Sequence, residues 1–182
     1  MGDNGIYQSI VLATQQLTTP EVLTVLFGLI YVVLAARENI WCWFWGILSS
    51  GLWAYVTWFQ FNLLADALLN LFYVVMGFIG VYQWQFGGGT QSDNNTLPIT
   101  TLSLNKHLWI LIGGGFLTML TGYFFSAYTA AAATYLDSFT TVFAVVATFL
   151  TVRKVLENWL YWIVVDALYI YLYISREGYL FA

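Results

Sequence analysis

The sequence predicts an all-α, polytopic membrane helical bundle, and three observations predict it. Charged residues make up 8% of the 182-residue chain and hydrophobic ones 60%, whereas a soluble domain usually carries about a quarter charged residues. Apolar runs near the length that crosses a bilayer recur six times along the chain. A long hydrophilic stretch, residues 87–105, divides those runs three and three.

The first run is Pro20–Ala36, opened by Pro20 and Glu21, residues suited to a helix start. The second is Trp41–Phe61 and the third Leu64–Phe86. Trp41, Trp43 and Trp45 alternate around the second run, so at least one of them is a membrane-interface anchor. The divider begins Gly-Gly-Gly-Thr-Gln-Ser-Asp-Asn-Asn-Thr-Leu-Pro, a flexible linker by composition. The fourth run is Leu108–Tyr128; its Gly113-Gly114-Gly115 lets a neighbouring helix approach closely. The run Ala130–Ala133 either extends it or forms a short loop. The fifth run, Ser138–Val152, is the shortest, and Asp137 before it reads as an N-cap. The sixth is Trp159–Ser175. Upstream of all six, residues 6–17 are either a short interfacial helix or a disordered tail.

The parts fall into residues 1–19 as an N-terminal segment, 20–86 as a first three-helix repeat, 87–107 as linker, 108–136 as connector helix and loop, and 137–182 as a second repeat. Aligning Asn39 with Asn158, 119 positions apart, places span one on span five and Trp43 on Trp162. An even number of crossings separates the copies, so the repeat is parallel. The second copy then lacks a counterpart to span three, and a seventh helix is the expected missing part. Arg37, Lys106, Arg153 and Lys154 fall on one side of six crossings and Arg176 on the other. The positive-inside rule makes the first side cytoplasmic and sets the N-terminus outside.

Composition also excludes. A net charge of −4 disfavours nucleic acid as partner. The single Cys42 makes no internal disulfide and reads as a small core residue. The single His107 rules out a multi-histidine metal site. No span has a deep lysine for a retinal, an arginine ladder for a voltage sensor or a phosphate loop for a nucleotide motor. No nucleophile triad or metal cluster supports an enzyme, and no cofactor is implied.

What remains is suited to binding. Trp159, Trp162, Asp166, Tyr169 and Tyr173 recur at helical spacing on one face of span six. An acid inside a membrane span is costly unless it faces a cavity, a partner or a substrate. Aromatic faces beside it suit a cationic aromatic ligand. The competing reading is a packing seam, and Trp159 also fits an interfacial anchor. In span three, Asp66, Asn70 and Tyr73 share a face, followed by Gly77, Gly80 and Trp84. The glycines make room for either a helix or a ligand; Asn70 needs a partner in hydrocarbon; Asp66 also fits a helix-start role. Phe143 lies two turns into span five and would face the same cavity. A structural scaffold, which would give no flux in liposomes, is the rival from another class.

These residues resemble the PnuC family of vitamin transporters. The likeness rests on residues 136–141 (Leu-Asp-Ser-Phe-Thr-Thr), on residues 153–162 (Arg-Lys-Val-Leu-Glu-Asn-Trp-Leu-Tyr-Trp), on Gly178-Tyr179-Leu180 and on Tyr82-Gln83-Trp84. It covers the chain from about Glu21 onward. The resemblance implies a SWEET-like 3+1+3 plan with the seventh helix absent here, a homotrimer with one pathway per protomer, and a place in the bacterial inner membrane. It implies uptake of nicotinamide riboside, or in related branches thiamine or riboflavin, by facilitated diffusion, with a cytoplasmic vitamin kinase trapping the cargo. The family's ligand contacts carry over onto Trp159 and Trp162, with Asn70 and Phe143 beside them. Some riboside transporters have Asn where Asp166 stands, which keeps thiamine in view.

Overall fold

The computed structural model describes residues 18–88, 97–128 and 134–175. It contains six helices among these residues: α1 (Thr19–Ala36), α2 (Trp41–Phe59), α3 (Leu64–Phe86), α4 (Leu104–Tyr128), α5 (Thr134–Val152) and α6 (Asn158–Ser175). The predicted N-terminal segment at 6–17, the alanine run at 130–133 and Arg176 lie outside the described residues. The chain divides into two compact units, residues 1–98 and 99–182. Four helices, α1, α3, α4 and α5, are long and apolar enough to cross a membrane. The other two, α2 and α6, are rich in tryptophan and tyrosine, whose polar tips make them less apolar overall.

In the first unit α2 packs between α1 and α3. The start of α1 is closed by Glu21, whose Oε2 accepts from the Thr18 N–H at 2.6 Å and the Thr18 hydroxyl at 2.8 Å. Pro20 sits in this first turn, where its missing N–H is not needed. Against α2, the Ser49 hydroxyl donates to the Thr24 carbonyl at 2.9 Å. Gly46 faces the Tyr31 ring so closely that a Cβ there would lie 2.9 Å from Cδ2. On the other side of α2, Gly77 and Gly80 of α3 meet Ile47 and Trp43. The space left by these two glycines is therefore taken by the neighbouring helix and not by a ligand. Trp43 is buried edge-on against Trp84 at 5.3 Å, while Trp41 is exposed, as an anchor requires. Cys42 is fully buried, as a small core residue should be.

In the second unit α5 packs between α4 and α6. Helix α4 begins at Leu104, four residues ahead of the apolar run at Leu108, because its first turn is polar. It turns one narrow stripe, Gly114, Thr118 and Gly122, toward α5. Trp109, Phe116, Met119 and Tyr123 are exposed around the rest of its surface, a distribution suited to lipid. Gly114 meets Phe143 and Gly122 meets Tyr135, whereas Gly113 and Gly115 have no described atom within 4 Å of a built Cβ. Close approach thus uses the middle glycine of the triplet. Helix α5 begins at Thr134, so Asp137 lies in its first turn and is not the N-cap. A carboxylate there still complements the helix dipole.

The structure corrects the register of the repeat. Both α1 and α5 end in the same left-handed turn, at Glu38 (φ 52°) and Lys154 (φ 50°), which lie 116 and not 119 positions apart. Asn39 N–H bonds Leu34 O at 2.9 Å, and Val155 N–H bonds Leu150 O at 2.9 Å. Glu38 N–H bonds Ala35 O and Lys154 N–H bonds Thr151 O, both at 3.0 Å. This is the Schellman pattern of a helix C-terminus, twice. Near the helix starts the Thr24 hydroxyl donates to Pro20 O, and the Thr140 hydroxyl, 116 positions later, reaches back in the same way to Leu136 O at 3.2 Å and Asp137 O at 3.0 Å. Phe27 meets Trp45 at 5.2 Å, and Phe143 meets Tyr161 at 6.4 Å. On this register Trp43 matches Trp159, not Trp162, and the partner of Trp162 is Gly46. The Glu-Asn pairs that suggested 119 occupy different structures. Glu38-Asn39 closes a helix, while Asn158 opens one.

Candidate functional site

Among the described residues of the second unit, polar contacts concentrate at the α5–α6 turn. Residues 99–103 cross beside it as an extended segment. The Thr100 N–H donates to Lys154 O at 3.0 Å, and the Leu156 N–H to Thr100 O at 2.9 Å. Glu157 takes the Leu102 N–H on both carboxylate oxygens, at 3.2 and 3.3 Å. His107, in the first turn of α4, lies 3.9 Å from Glu157 by Nε2, and its Nδ1 is 2.9 Å from the Tyr161 hydroxyl. Its ring stacks on Tyr161 at 5.8 Å. Tyr161 stacks in turn on Phe143, and Phe143 lies 4.4 Å from Phe139. A column of rings therefore runs from the α4 start into the α5–α6 interface, with Phe143 buried at 4% exposure.

Helix α6 presents the predicted stripe beside this column. Asn158, Val165 and Leu172 are buried toward α5. Trp159, Trp162 and Tyr169 stand half-buried on the flank, and Asp166 is exposed one turn beyond Trp162. The side chain of Tyr173 lies outside the described residues. Trp162 is held from within: its indole N–H donates to the Thr151 hydroxyl oxygen at 3.1 Å. That oxygen lies 2.9 Å from Ala147 O and 3.1 Å from Asn158 Oδ1, and Asn158 Nδ2 donates to Val155 O at 2.6 Å. A hydroxyl has one proton to give, so it bonds one of the two carbonyl oxygens and keeps a lone pair for the indole.

Asp66, Asn70 and Tyr73 belong to the first unit. Asn70 is 9% exposed, and its Nδ2 donates to Asp66 O at 2.9 Å, the partner that a buried amide requires. Asp66 lies in the first turn of α3, where an acid complements the helix dipole. Tyr73 is half-buried, its ring 5.8 Å from Phe72. Phe143, Trp159, Trp162 and Asp166 belong to the second unit. Within it, Trp159, Trp162 and Asp166 share a stripe of α6, and Phe143 packs on the neighbouring Tyr161. Sequence reasoning passed over Thr151, Asn158, Tyr161 and His107. The signal was present in part: Thr151 is a polar residue inside the fifth apolar run, and such a group needs a partner. No group of three His, Cys, Asp or Glu side chains able to hold a metal occurs among the described residues.

Comparison with known proteins places this arrangement. The nicotinamide riboside transporter PnuC of Neisseria mucosa is 28% identical over 148 residues, covering 80% of this chain and 56% of that protein. The transporter of the same name from Escherichia coli is 26% identical over 176 residues, covering 84% of this chain and 72% of that one. The chain thus spans little more than half the length of the Neisseria relative. A solved structure, described as the crystal structure of the vitamin B3 transporter PnuC, matches with a TM-score of 0.69 at 25% identity, covering 95% of this chain and 76% of that one. A model of the family described as nicotinamide mononucleotide transporter matches residues 18–182. The chain therefore belongs to the nicotinamide mononucleotide transporter family, membrane transporters built on the helical fold described above.

Proposed function

We propose that this protein takes up nicotinamide riboside across the bacterial inner membrane by facilitated diffusion, with phosphorylation in the cytoplasm preventing return. The observation that carries the reading is the α6 stripe, which sets Trp159, Trp162 and Asp166 on one flank with the Trp162 ring held by its N–H. A pyridinium ring over a desolvated indole face gains about 2 kcal/mol, and a carboxylate one turn away offsets its charge. The curated relatives carry nicotinamide riboside in their names, which supports the choice of cargo. A phosphate on the cargo fits less well. Arg37, Lys106, Arg153 and Lys154, the basic residues among those described, all lie in turns or at helix ends, and Asp166 would repel an anion. Within the first unit taken by itself, Asn70, Tyr73 and Asp66 on one face of α3 are proposed as cargo-binding residues, and within the second Phe143 is proposed as a wall beside the α6 stripe.

The wider plan is proposed with it. The matching α1–α2 and α5–α6 hairpins support a SWEET-like 3+1+3 scheme, of which six helices stand among the described residues; the N-terminus outside and a homotrimer with one pathway per protomer are proposed beside it. The division of labour with a cytoplasmic vitamin kinase follows from a carrier that uses neither ATP nor an ion gradient. Isothermal titration of the purified protein tests the cargo. Micromolar affinity for nicotinamide riboside supports the assignment; affinity for thiamine with none for the riboside reverses it. Flux of labelled riboside into proteoliposomes tests transport, and its absence with a folded protein favours a structural bundle.

A further inference from the structure

Thr151, Asn158 and Trp162 form one polar unit that the first repeat does not have. At the matching positions, 116 residues earlier, stand Ala35, Cys42 and Gly46. Ala35 is 7% exposed and Cys42 is fully buried; Thr151 and Asn158 are each 6% exposed. The same helical hairpin, with the same C-terminal turn and an equivalent threonine bonded back to its own helix, therefore closes without any of the three polar groups. The large ring has also changed helices. In the first unit Tyr31 of α1 lies over Gly46. In the second, Ala147 replaces the tyrosine, is fully buried, and the ring is Trp162 of α6. Folding of the hairpin does not account for the polar unit, because its sibling folds with apolar and small residues there.

The hydrogen bonds show what the unit does. The indole N–H is tied to Thr151 Oγ1 at 3.1 Å, and the single Thr151 proton is shared between two acceptors that fix the hydroxyl, Ala147 O at 2.9 Å and Asn158 Oδ1 at 3.1 Å. Asn158 is itself anchored to Val155 O in the turn. An indole fixed by its N–H edge cannot roll about its χ angles, so its face keeps one direction. We propose that Thr151 and Asn158 are positioning residues for Trp162, holding the indole plane for stacking on the cargo ring. The inference rests on the reading that Trp162 touches the cargo.

The test pairs binding of nicotinamide riboside by titration calorimetry with the 15N–1H resonance of the Trp162 indole, assigned by its loss in Trp162→Phe. Thr151→Val keeps the shape and removes the acceptor. It is expected to move the indole resonance upfield and weaken the riboside about tenfold, the size of one lost hydrogen bond. Thr151→Ser is expected to restore both. In the Trp162→Phe background, Thr151→Val is expected to change affinity by less than about twofold, since the bond is already gone. Asn158→Cys, the residue that the first unit buries at this position, is the second route, expected to weaken binding about threefold with the same direction of shift. A shifted resonance with wild-type affinity overturns the proposal, as does an equal Thr151→Val loss in the Trp162→Phe background. Trp162→Ala that binds as the wild type does overturns the site reading together with the proposal. Dependence on Trp162 with indifference to Thr151 and Asn158 overturns the positioning role alone.

Discussion

Three consecutive glycines in α4 allow a test in which neighbouring substitutions of one kind have opposite signs. A Cβ built on Gly114 lies 2.8 Å from Phe143 Cζ and 3.2 and 3.3 Å from its two Cε atoms. These are atoms of a ring that cannot yield freely. Phe143 is 4% exposed, with Phe139 at 4.4 Å on one side and Tyr161 at 6.4 Å on the other. Inserting one methyl into a packed contact costs about 1–3 kcal/mol. Gly113 and Gly115 have no described atom within 4 Å of a built Cβ. There alanine removes the helix penalty of glycine, up to about 1 kcal/mol in the stabilising direction. The helix gain is common to all three variants, so Gly113→Ala, Gly114→Ala and Gly115→Ala should separate by the packing cost alone, with the middle one lower by roughly 1–3 kcal/mol. Thermal unfolding in detergent, followed by tryptophan fluorescence at fixed heating rate, reads the order. A Gly114→Ala protein as stable as its two neighbours would refute the packing of α4 on α5 through this glycine. The position of Phe143 in the ring column would fall with it.

Further outcomes follow from the site. Trp162→Ala should reduce affinity for nicotinamide riboside about 30-fold, equivalent to the roughly 2 kcal/mol of a desolvated cation over an indole, with membrane insertion unchanged by fractionation; normal titration would make the stripe a packing seam. Asp166→Asn should weaken the cationic riboside about fivefold, from a Coulomb contribution near 1 kcal/mol, and leave the reduced, uncharged dihydronicotinamide riboside unaffected; equal losses for both would remove the electrostatic role. Glu157→Ala should free residues 99–103, with amide hydrogen exchange at Leu102 about tenfold faster, because its N–H loses a carboxylate acceptor; unchanged exchange would show that the bridge from Thr100 to the α5–α6 turn holds the segment alone.

The misplaced repeat shows where reading a sequence along one dimension fails. Registers of 116 and 119 differ by three residues, about 300° of helix rotation, so an apolar pattern is nearly preserved between them. The Glu-Asn pairs then decide wrongly, because the same dipeptide ends one helix and begins another. Hydrogen bonds at the two left-handed residues settle it, since a Schellman turn has one register only. The same limit hid the partners of Trp162. Thr151 is eleven residues away on another helix, and nothing in the stripe at positions 159, 162 and 166 points to it. Gly77 and Gly80 were legible as small residues on one face of α3. That Ile47 and Trp43 fill the space they leave was not legible.

Sequence alone determined the class, the six helices and their approximate limits, and the candidate stripe on α6. These are local properties. In a helix each backbone group is satisfied within its own segment, so length, hydropathy and spacing carry the information. Tertiary structure decided which face of each helix meets a neighbour, the true register of the repeat and the hydrogen bonds that orient Trp162. Those depend on the rotation and approach of two helices, set by a few side-chain contacts far apart in the chain, and no local pattern encodes them.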